Sequence, residues 1–175
     1  MFAYVIAKYL IFAIPTGIVV LWITGAQAER RLAFTLFFSL MIATLLSATI
    51  GTLFPVERPF IMSFGDQLLD HRPSSSFLSN HGLIMFCCAW VLLFKKYKWQ
   101  AAIAAFAGLW VAWARIYLGI HWPSDMIGAV LIANAAALIA ILFDHRFGEK
   151  LVSRIVRFYK TVIDKTIEKI HKGLN

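Results

Sequence analysis

The sequence predicts an all-α fold, a polytopic transmembrane helix bundle of about five spans followed by a C-terminal basic amphipathic helix. Of the 175 residues, 61% are hydrophobic and 15% are charged, whereas soluble domains are close to half apolar. Apolar runs of about 20 residues, the length that crosses a bilayer as a helix, recur along the chain. The C-terminal stretch instead alternates apolar residues with lysines and arginines at helical spacing. We therefore expect a transmembrane domain over residues 1–146 and a cytoplasmic amphipathic tail over residues 147–175.

The first two spans precede a polar loop. We predict the first from Ala3 to Gly25 and the second from Leu32 to Phe54. The small residues 26–28 resemble the cleavage site of a signal peptide, so a removable leader is the alternative interpretation of the first segment. Cleavage would deliver Arg30 and Arg31 to the outside, against the positive-inside rule, and we therefore favour a retained span.

Three more spans follow the loop that extends from Val56 to about Ser76. The third span begins near Phe77, the fourth covers Trp99–Ile120, and the fifth covers Pro123–Phe143. Proline is favoured in the first turn of a helix, which supports the start of the fifth span. From Phe147 onward, apolar residues at helical spacing predict a helix lying on a membrane surface, with a solvated or disordered tail as the alternative.

The basic residues indicate which side of this bundle is cytoplasmic. With five alternating spans, thirteen of the seventeen lysines and arginines fall on one face, which the positive-inside rule assigns to the cytoplasm. These are Arg30, Arg31, Lys95, Lys96, Lys98, Arg146, Lys150, Arg154, Arg157, Lys160, Lys165, Lys169 and Lys172. The polar loop then faces outward, as does the N-terminus, an arrangement that a missing leading helix would explain. The net charge of +8 accordingly fits orientation and anionic lipid headgroups rather than a nucleic-acid partner.

Polar residues from three parts of the sequence meet at the outer end of this topology. They are Glu57-Arg58-Pro59, Ser79-Asn80-His81, and Arg115 with His121 and Asp125. Arg115 lies about 7.5 Å below the turn that follows the fourth span. A cation at that depth faces the bundle interior and needs an anionic partner, which is either a carboxylate such as that of Glu57 or a bound phosphate.

The residue types in these clusters suit phosphate chemistry. Arg58 and Arg115 offer forked donors, and a helix N-terminus near Ser79 offers free backbone N–H groups. Asp125 lies four residues after His121 and can accept from one imidazole nitrogen, which leaves the other free to attack phosphorus. His81 can act as the general acid for the leaving group.

Other residues have simpler interpretations. Taken singly, each histidine of the outer face is equally an interfacial hydrogen-bonding residue, and convergence favours the catalytic interpretation. His71 and Arg72 are loop residues that could touch a substrate headgroup. The neighbours Cys87 and Cys88 pack as small apolar residues. The spacing of a zinc or calcium site is not found in the sequence, so we expect neither a metal nor another cofactor.

Three motifs in this sequence resemble those of the membrane-bound type 2 phosphatidic acid phosphatase family. The family carries a lysine ahead of Arg-Pro, then Pro-Ser-Gly-His, then Ser-Arg followed at fixed spacing by His and Asp. The matching stretches are Arg58-Pro59, Leu78-Ser79-Asn80-His81 and Ala114-Arg115 with His121 and Asp125. The stretches LFPVERPF, SFLSNHG and RIYLGIHWPSDMIG are most similar to the bacterial undecaprenyl-diphosphate phosphatases of this family, the bacitracin-resistance type.

The resemblance implies a phosphohistidine intermediate on His121, oriented by Asp125, with His81 as proton donor. It also implies an active site on the periplasmic or exterior side. The substrate-binding residues that we expect are Arg58, Arg115, Ser79, Asn80 and Glu57. The sequence departs from the family motifs at Gly51 in place of lysine, Leu78 in place of proline, Asn80 in place of glycine and Ala114 in place of serine. Family members commonly have six spans, one more than we count.

The sequence therefore predicts an enzyme of the bacterial inner membrane that converts undecaprenyl diphosphate to undecaprenyl phosphate and so recycles the cell-wall lipid carrier. Its expected partners are the polyprenyl diphosphate substrate and membrane lipids. The alternatives are a phosphatase of phosphatidylglycerophosphate or phosphatidic acid, or a lipid A phosphotransferase. A non-enzymatic transport protein is a further alternative, although it would distribute ionisable residues along the depth of several helices.

Overall fold

The described part of the chain is helical throughout its regular structure, which confirms the predicted fold class. The computed structural model describes residues 1–62, 64, 68–70 and 74–173, with side chains up to residue 163. The helices are α1 (Phe2–Tyr9), α2 (Ala13–Thr24), α3 (Gln27–Leu53), α4 (Asn80–Phe94), α5 (Lys98–Tyr117), α6 (Pro123–Phe143) and α7 (Glu149–Gly173). A 3₁₀ turn at Leu10–Phe12 joins α1 to α2, and a π-helical turn at Asp144–Gly148 joins α6 to α7.

The predicted spans correspond to helices, and the fifth has the predicted ends, Pro123 and Phe143, whereas the ends of the others differ from the prediction. By length and composition, three helical stretches of the described residues can cross a membrane, namely Phe2–Thr24, Gln27–Leu53 and Pro123–Ile163, and Asn80–Phe94 is a shorter apolar helix. The fourth predicted span, α5, does not belong to this group, since Gln100, Arg115 and several tryptophans lower its mean hydropathy. The chain thus has the helices of a multi-pass membrane protein.

Small residues let α4 occupy the middle of the bundle, where it packs against α3, α5 and α6. Ala129, Ala133 and Ala136 of α6 are fully buried in this core. On α4, a Cβ added at Gly82 would come within 3.0 Å of the Met126 sulfur. Close approach of backbones through small side chains is the usual packing of membrane helices, where dispersion forces replace the hydrophobic effect.

A glycine on α6 receives the segment that precedes α4. A Cβ added at Gly128 would lie 2.4 Å from Leu78 Cδ2 and 2.8 Å from the Phe77 ring. A larger residue at this position would therefore overlap both side chains. Gly128 consequently allows the backbone before α4 to lie directly on the first turns of α6.

Opposite the polar loop, a buried carboxylate joins three elements. Asp144 is 2% exposed and accepts from Arg31 Nε at 2.8 Å and from Lys95 Nζ at 2.5 Å. Arg31 Nη2 also donates to the Asp144 carbonyl at 3.0 Å, within the π-helical turn. This ion cluster ties α3, the α4–α5 turn and the start of the C-terminal extension together.

The predicted amphipathic tail is a helix, and it continues from α6 through the π-helical turn. The predicted boundary between residues 146 and 147 falls inside that turn. Val152 and Val156 are buried, and Ser153 Oγ accepts from Gln27 Nε2 at 2.8 Å. The beginning of α7 thus packs against α3, while contact of the helix with a membrane surface stays a prediction.

Candidate active site

The turn between α5 and α6 brings a histidine to the end of the bundle at which the polar loop lies. Gly119 has a φ of 70°, and its N–H donates to the Ile116 carbonyl at 3.0 Å. Glycine is favoured in this left-handed conformation because a Cβ would crowd the backbone. The reversal ends α5 at Tyr117, three residues before the predicted end, and leaves His121 in the short connection before Pro123.

His121 and Asp125 form a buried pair across this turn. Their side chains are 3% and 0% exposed, and His121 Nδ1 lies 3.1 Å from Asp125 Oδ2. Asp125 occupies the third position of α6 and also accepts from the Trp122 backbone N–H at 2.9 Å. A carboxylate in the first helical turn that accepts from the N-cap amide is a capping interaction, and it holds the side chain beside the histidine.

Arg58 lies against the opposite nitrogen of the same imidazole. Its Nη1 is 3.3 Å from His121 Nε2 and donates to the Ile120 carbonyl at 2.8 Å. Its Nε donates to the Ser74 carbonyl at 2.9 Å, and its Nη2 contacts Ser74 Oγ at 3.3 Å and the Ser75 carbonyl at 2.9 Å. A guanidinium has five N–H donors. Each of those five is therefore matched by an acceptor of the protein.

These contacts define the tautomer of His121. Arginine can only donate, so Nε2 is the acceptor in its contact with Arg58. The proton of the neutral ring is then on Nδ1, where it faces the Asp125 carboxylate. Burial lowers the pKa of His121 to about 4, the Asp125 hydrogen bond opposes this, and the charges of Arg115 and Arg58 lower it further. At neutral pH the unprotonated nitrogen of His121 is thus Nε2.

A run of three serines, Ser74 to Ser76, which the sequence predicts only as part of the polar loop, lines this site. Ser74 and Ser75 contact Arg58, whereas Ser76 is fully buried and donates from Oγ to Asp125 Oδ2. The Ser76 hydroxyl also lies 3.4 Å from His121 Nδ1. Serine is common in polar loops, and the pattern around this run carries no signal that distinguishes a buried serine from an exposed one.

The N-terminus of α4 contributes the second polar cluster. Ser79 is its N-cap residue, fully buried, and its Oγ accepts from the Gly82 N–H at 3.5 Å. Asn80 Oδ1 accepts from Ser47 Oγ of α3 at 3.0 Å. His81 is half-buried in the first turn of α4. The third predicted span therefore begins at Asn80 rather than Phe77, because Ser79 caps it.

Arg115 is buried in the bundle, whereas Glu57 is exposed. Arg115 is 3% exposed, and its Nη1 donates to the Ala7 carbonyl of α1 at 3.2 Å. The Glu57 side chain is exposed, and its backbone carbonyl accepts from Trp122 Nε1 at 2.8 Å. Among the ion pairs of the described residues, none joins Arg115 to Glu57. Within the described residues, Glu57 is therefore not seen as the partner of Arg115.

The position at which the family has a lysine is covered by the segment that contains Ser75 and Phe77. A Cβ added at Gly51 would lie 3.1 Å from the Phe77 carbonyl and 4.0 Å from Ser75 Oγ. His71 and Arg72, considered above for headgroup contact, lie outside the described residues. Within the described part, no group of three His, Cys, Asp or Glu side chains gathers as a metal site, and the metal-free mechanism stays a prediction.

Comparison with known proteins gives one family. The model of the PAP2 superfamily matches residues 32–149. YbjG of Escherichia coli (strain K12), provisionally named an undecaprenyl-diphosphatase, is 35% identical over 164 residues, which cover 94% of this chain and 83% of YbjG. The undecaprenyl-diphosphatase BcrC of Bacillus subtilis (strain 168) is 26% identical over 167 residues, with 94% and 84% covered.

A solved structure supports the same fold. The crystal structure of LpxE from Aquifex aeolicus superimposes with a TM-score of 0.65 at 26% identity, covering 80% of this chain and 81% of LpxE. Residues 32–149, which the family model matches, include all three motifs that carry the resemblance. The resemblance to this family and to its undecaprenyl-diphosphatases is therefore confirmed.

Proposed function

We propose, since the chain belongs to the PAP2 superfamily, that this membrane phosphatase hydrolyses undecaprenyl diphosphate to undecaprenyl phosphate through a phosphohistidine on His121. The observation that carries the proposal is the buried His121–Asp125 pair, in which the unprotonated Nε2 of His121 lies 3.3 Å from Arg58 Nη1. A nucleophile oriented by a carboxylate and adjacent to a phosphate-binding cation is the arrangement that phosphoryl transfer needs.

In the first step, the Nε2 lone pair of His121 attacks the terminal phosphorus. The P–N bond forms as the bond from that phosphorus to the bridging oxygen breaks, and undecaprenyl phosphate leaves. The imidazole becomes positive as this happens, and Asp125 stabilises the charge through Nδ1–H. His81, in the first turn of α4, donates a proton to the departing oxygen.

In the second step, water attacks the phosphohistidine. His81 accepts a proton from this water, the P–N bond breaks, and its electron pair returns to Nε2. Inorganic phosphate and neutral His121 are the products, and His81 has regained the proton that it donated.

The phosphate is held by residues from three elements. Arg58 exchanges contacts with the serine run and the α5–α6 turn for phosphate oxygens, and buried Arg115 adds a second positive charge to the same site. Ser79 and Asn80 contribute hydrogen-bonding groups at the N-terminus of α4, where the helix dipole favours an anion. Glu57, exposed at the rim, contacts the substrate headgroup.

The proposed substrate rests on the relatives named for undecaprenyl diphosphate, of which YbjG and BcrC align over 94% of this chain. We place the enzyme in the bacterial inner membrane with the active site facing the periplasm or exterior. The support for this orientation is the basic character of the opposite end, where Arg30, Arg31 and Lys95 lie. In this location the enzyme regenerates the lipid carrier of cell-wall synthesis.

Phosphate release by the purified protein in detergent tests the proposal. Undecaprenyl diphosphate, phosphatidylglycerophosphate, phosphatidic acid and a lipid A phosphate form the panel, and EDTA is present throughout. We expect the fastest release from undecaprenyl diphosphate and its loss in His121→Ala. Radiolabelled terminal phosphate should become attached to the protein by a bond that is stable in alkali and labile in acid.

The outcomes separate the parts of the proposal. Equal rates for the parent and His121→Ala would contradict the nucleophile assignment. Faster phosphate release from a glycerophospholipid would contradict the proposed substrate and leave the proposed chemistry unchanged. Transfer of the label to lipid A rather than to water would identify a phosphotransferase.

A further inference from the structure

Ser76 lies at the buried end of the catalytic pair without belonging to any of the three motifs. Ser76 is fully buried, and its backbone N–H donates to the Val56 carbonyl at 2.7 Å. Because His121 Nδ1 carries the ring proton, the Ser76 hydroxyl donates its hydrogen to Asp125 Oδ2. The backbone thus fixes the serine, and the serine hydroxyl contacts the carboxylate.

The contacts of Asp125 are unequally divided between its two oxygens. Oδ2 accepts from Ser76 Oγ, His121 Nδ1 and the Trp122 N–H. Oδ1 is buried, and it has no hydrogen-bond partner in the part of the chain that the structure describes. The three hydrogen bonds to Oδ2 therefore oppose rotation of the Asp125 carboxylate.

Ser76 differs from the other two donors in its origin. His121 and Trp122 belong to the same turn as Asp125 and move with it, whereas Ser76 comes from a segment 49 residues earlier. That segment is attached to Val56 and, through Ser74 and Ser75, to Arg58. It connects the phosphate-facing arginine to the carboxylate behind the nucleophile.

We propose that Ser76 is a positioning residue that holds Asp125 Oδ2 against His121 Nδ1 and thereby keeps Nε2 unprotonated and aimed at the phosphate. This inference rests on the proposed function, because it assigns Ser76 a place in the same reaction. Ser76 acts through Asp125 and does not touch the substrate.

Loss of the hydroxyl should lower the rate of chemistry and leave binding nearly unchanged. A hydrogen bond to a charged group contributes enough to give about a ten- to hundred-fold fall in kcat. KM should change little, since Arg58 is held by Ser74 and Ser75, and its contacts within the described residues do not include the Ser76 hydroxyl. The His121 ring should populate the tautomer protonated at Nε2 more than in the parent.

The closing experiment compares Ser76→Ala, Ser76→Thr and Ser76→Val in the full-length protein in detergent. Threonine and valine have nearly the same shape and differ by the hydroxyl, so a folding defect caused by size affects both. Ser75→Ala is the loop control, because its hydroxyl contacts the Val56 N–H and the Phe77 carbonyl and not the carboxylate. The readouts are kcat and KM for phosphate release and the ¹⁵N signals of the His121 ring, assigned with His121→Asn.

We expect Ser76→Thr to exceed Ser76→Val in kcat and to retain the parent ring signals, while Ser75→Ala retains those signals as well. Equal kcat values for threonine and valine, a loss confined to KM, or unchanged ring signals in Ser76→Val would each overturn the inference. The ring signals need no substrate. If the parent protein fails to hydrolyse undecaprenyl diphosphate, the proposed function is contradicted. The ¹⁵N signals of the His121 ring would still show whether Ser76 controls the tautomer of His121.

Discussion

Replacing Asp125 by asparagine tests the charge behind His121. The side chain keeps its shape, and its amide oxygen can still accept from the Trp122 N–H, but the negative charge is removed. In the phosphohistidine mechanism the imidazole is positive once the P–N bond forms. The substitution should therefore slow the step in which that charge develops.

The size of the effect follows from one distance. His121 Nδ1 lies 3.1 Å from Asp125 Oδ2, and two unit charges at this separation attract by about 5 kcal/mol at an effective dielectric constant of about 20. The transition state carries between about half and all of the charge, so its loss raises the barrier by about 2.7 to 5 kcal/mol. Since each 1.36 kcal/mol is about tenfold in rate, kcat should fall by about 10² to 10⁴.

The assay is steady-state phosphate release from undecaprenyl diphosphate in detergent, with folding checked by thermal unfolding. Asp70→Asn is the matched control, because Asp70 is an exposed carboxylate in the loop between α3 and α4. Its kcat should stay close to that of the parent. A folded Asp125→Asn protein with kcat within about tenfold of the parent would refute the electrostatic role that we derive for the carboxylate.

Three further predictions concern protonation, stability and packing. The pKa of His121 is about 4 in the folded protein, below its ordinary value. The contribution of the neutral histidine to stability is therefore present above pH 6.5 and is lost as the pH falls toward 4. An NMR titration of the His121 ring should show a midpoint near this pKa, and Arg58→Gln should raise that midpoint, whereas a parent midpoint at or above 6.5 would contradict the prediction. Asp144→Asn leaves the partly exposed Arg31 and Lys95 without their buried counter-charge. The substitution should lower the free energy of unfolding by about 2–3 kcal/mol, measured by thermal unfolding. Equal stability of variant and parent would show that the ion cluster contributes little. Gly128→Ala should cost about 1–3 kcal/mol through overpacking, whereas Gly17→Ala, which meets open space, should be neutral or stabilising, and the opposite order would contradict the packing described.

The helices of this fold could be predicted because apolar runs are unambiguous in a sequence, whereas their ends depend on local chemistry. The start of α3 was missed because Glu29, Arg30 and Arg31 look like an interfacial loop, yet glutamate and arginine are good helix formers. The end of α5 was missed because Leu118 and Ile120 continue the apolar pattern. The helix ends before both residues, at Tyr117, and the positive φ of Gly119 reverses the chain between them.

The candidate site could be predicted where one short segment carries it. His121 and Asp125 are separated by a single turn, so their spacing already limits how far apart they can lie. Arg58 and Ser76 reach the same point through a loop, whose path the sequence pattern does not determine. Ser76 consequently had no distinguishing feature until its burial and its contact with Asp125 were seen.

The five matched donors of Arg58 have a consequence for product inhibition. In the proposed function, a phosphate that enters the site displaces the carbonyl oxygens of Ser74, Ser75 and Ile120 from the guanidinium, so the gain from each new contact is offset by the loss of an old one. Inorganic phosphate has no hydrophobic tail to add to that small difference. The fold should therefore release its second product readily, and the resting contacts return the arginine to one defined position between turnovers.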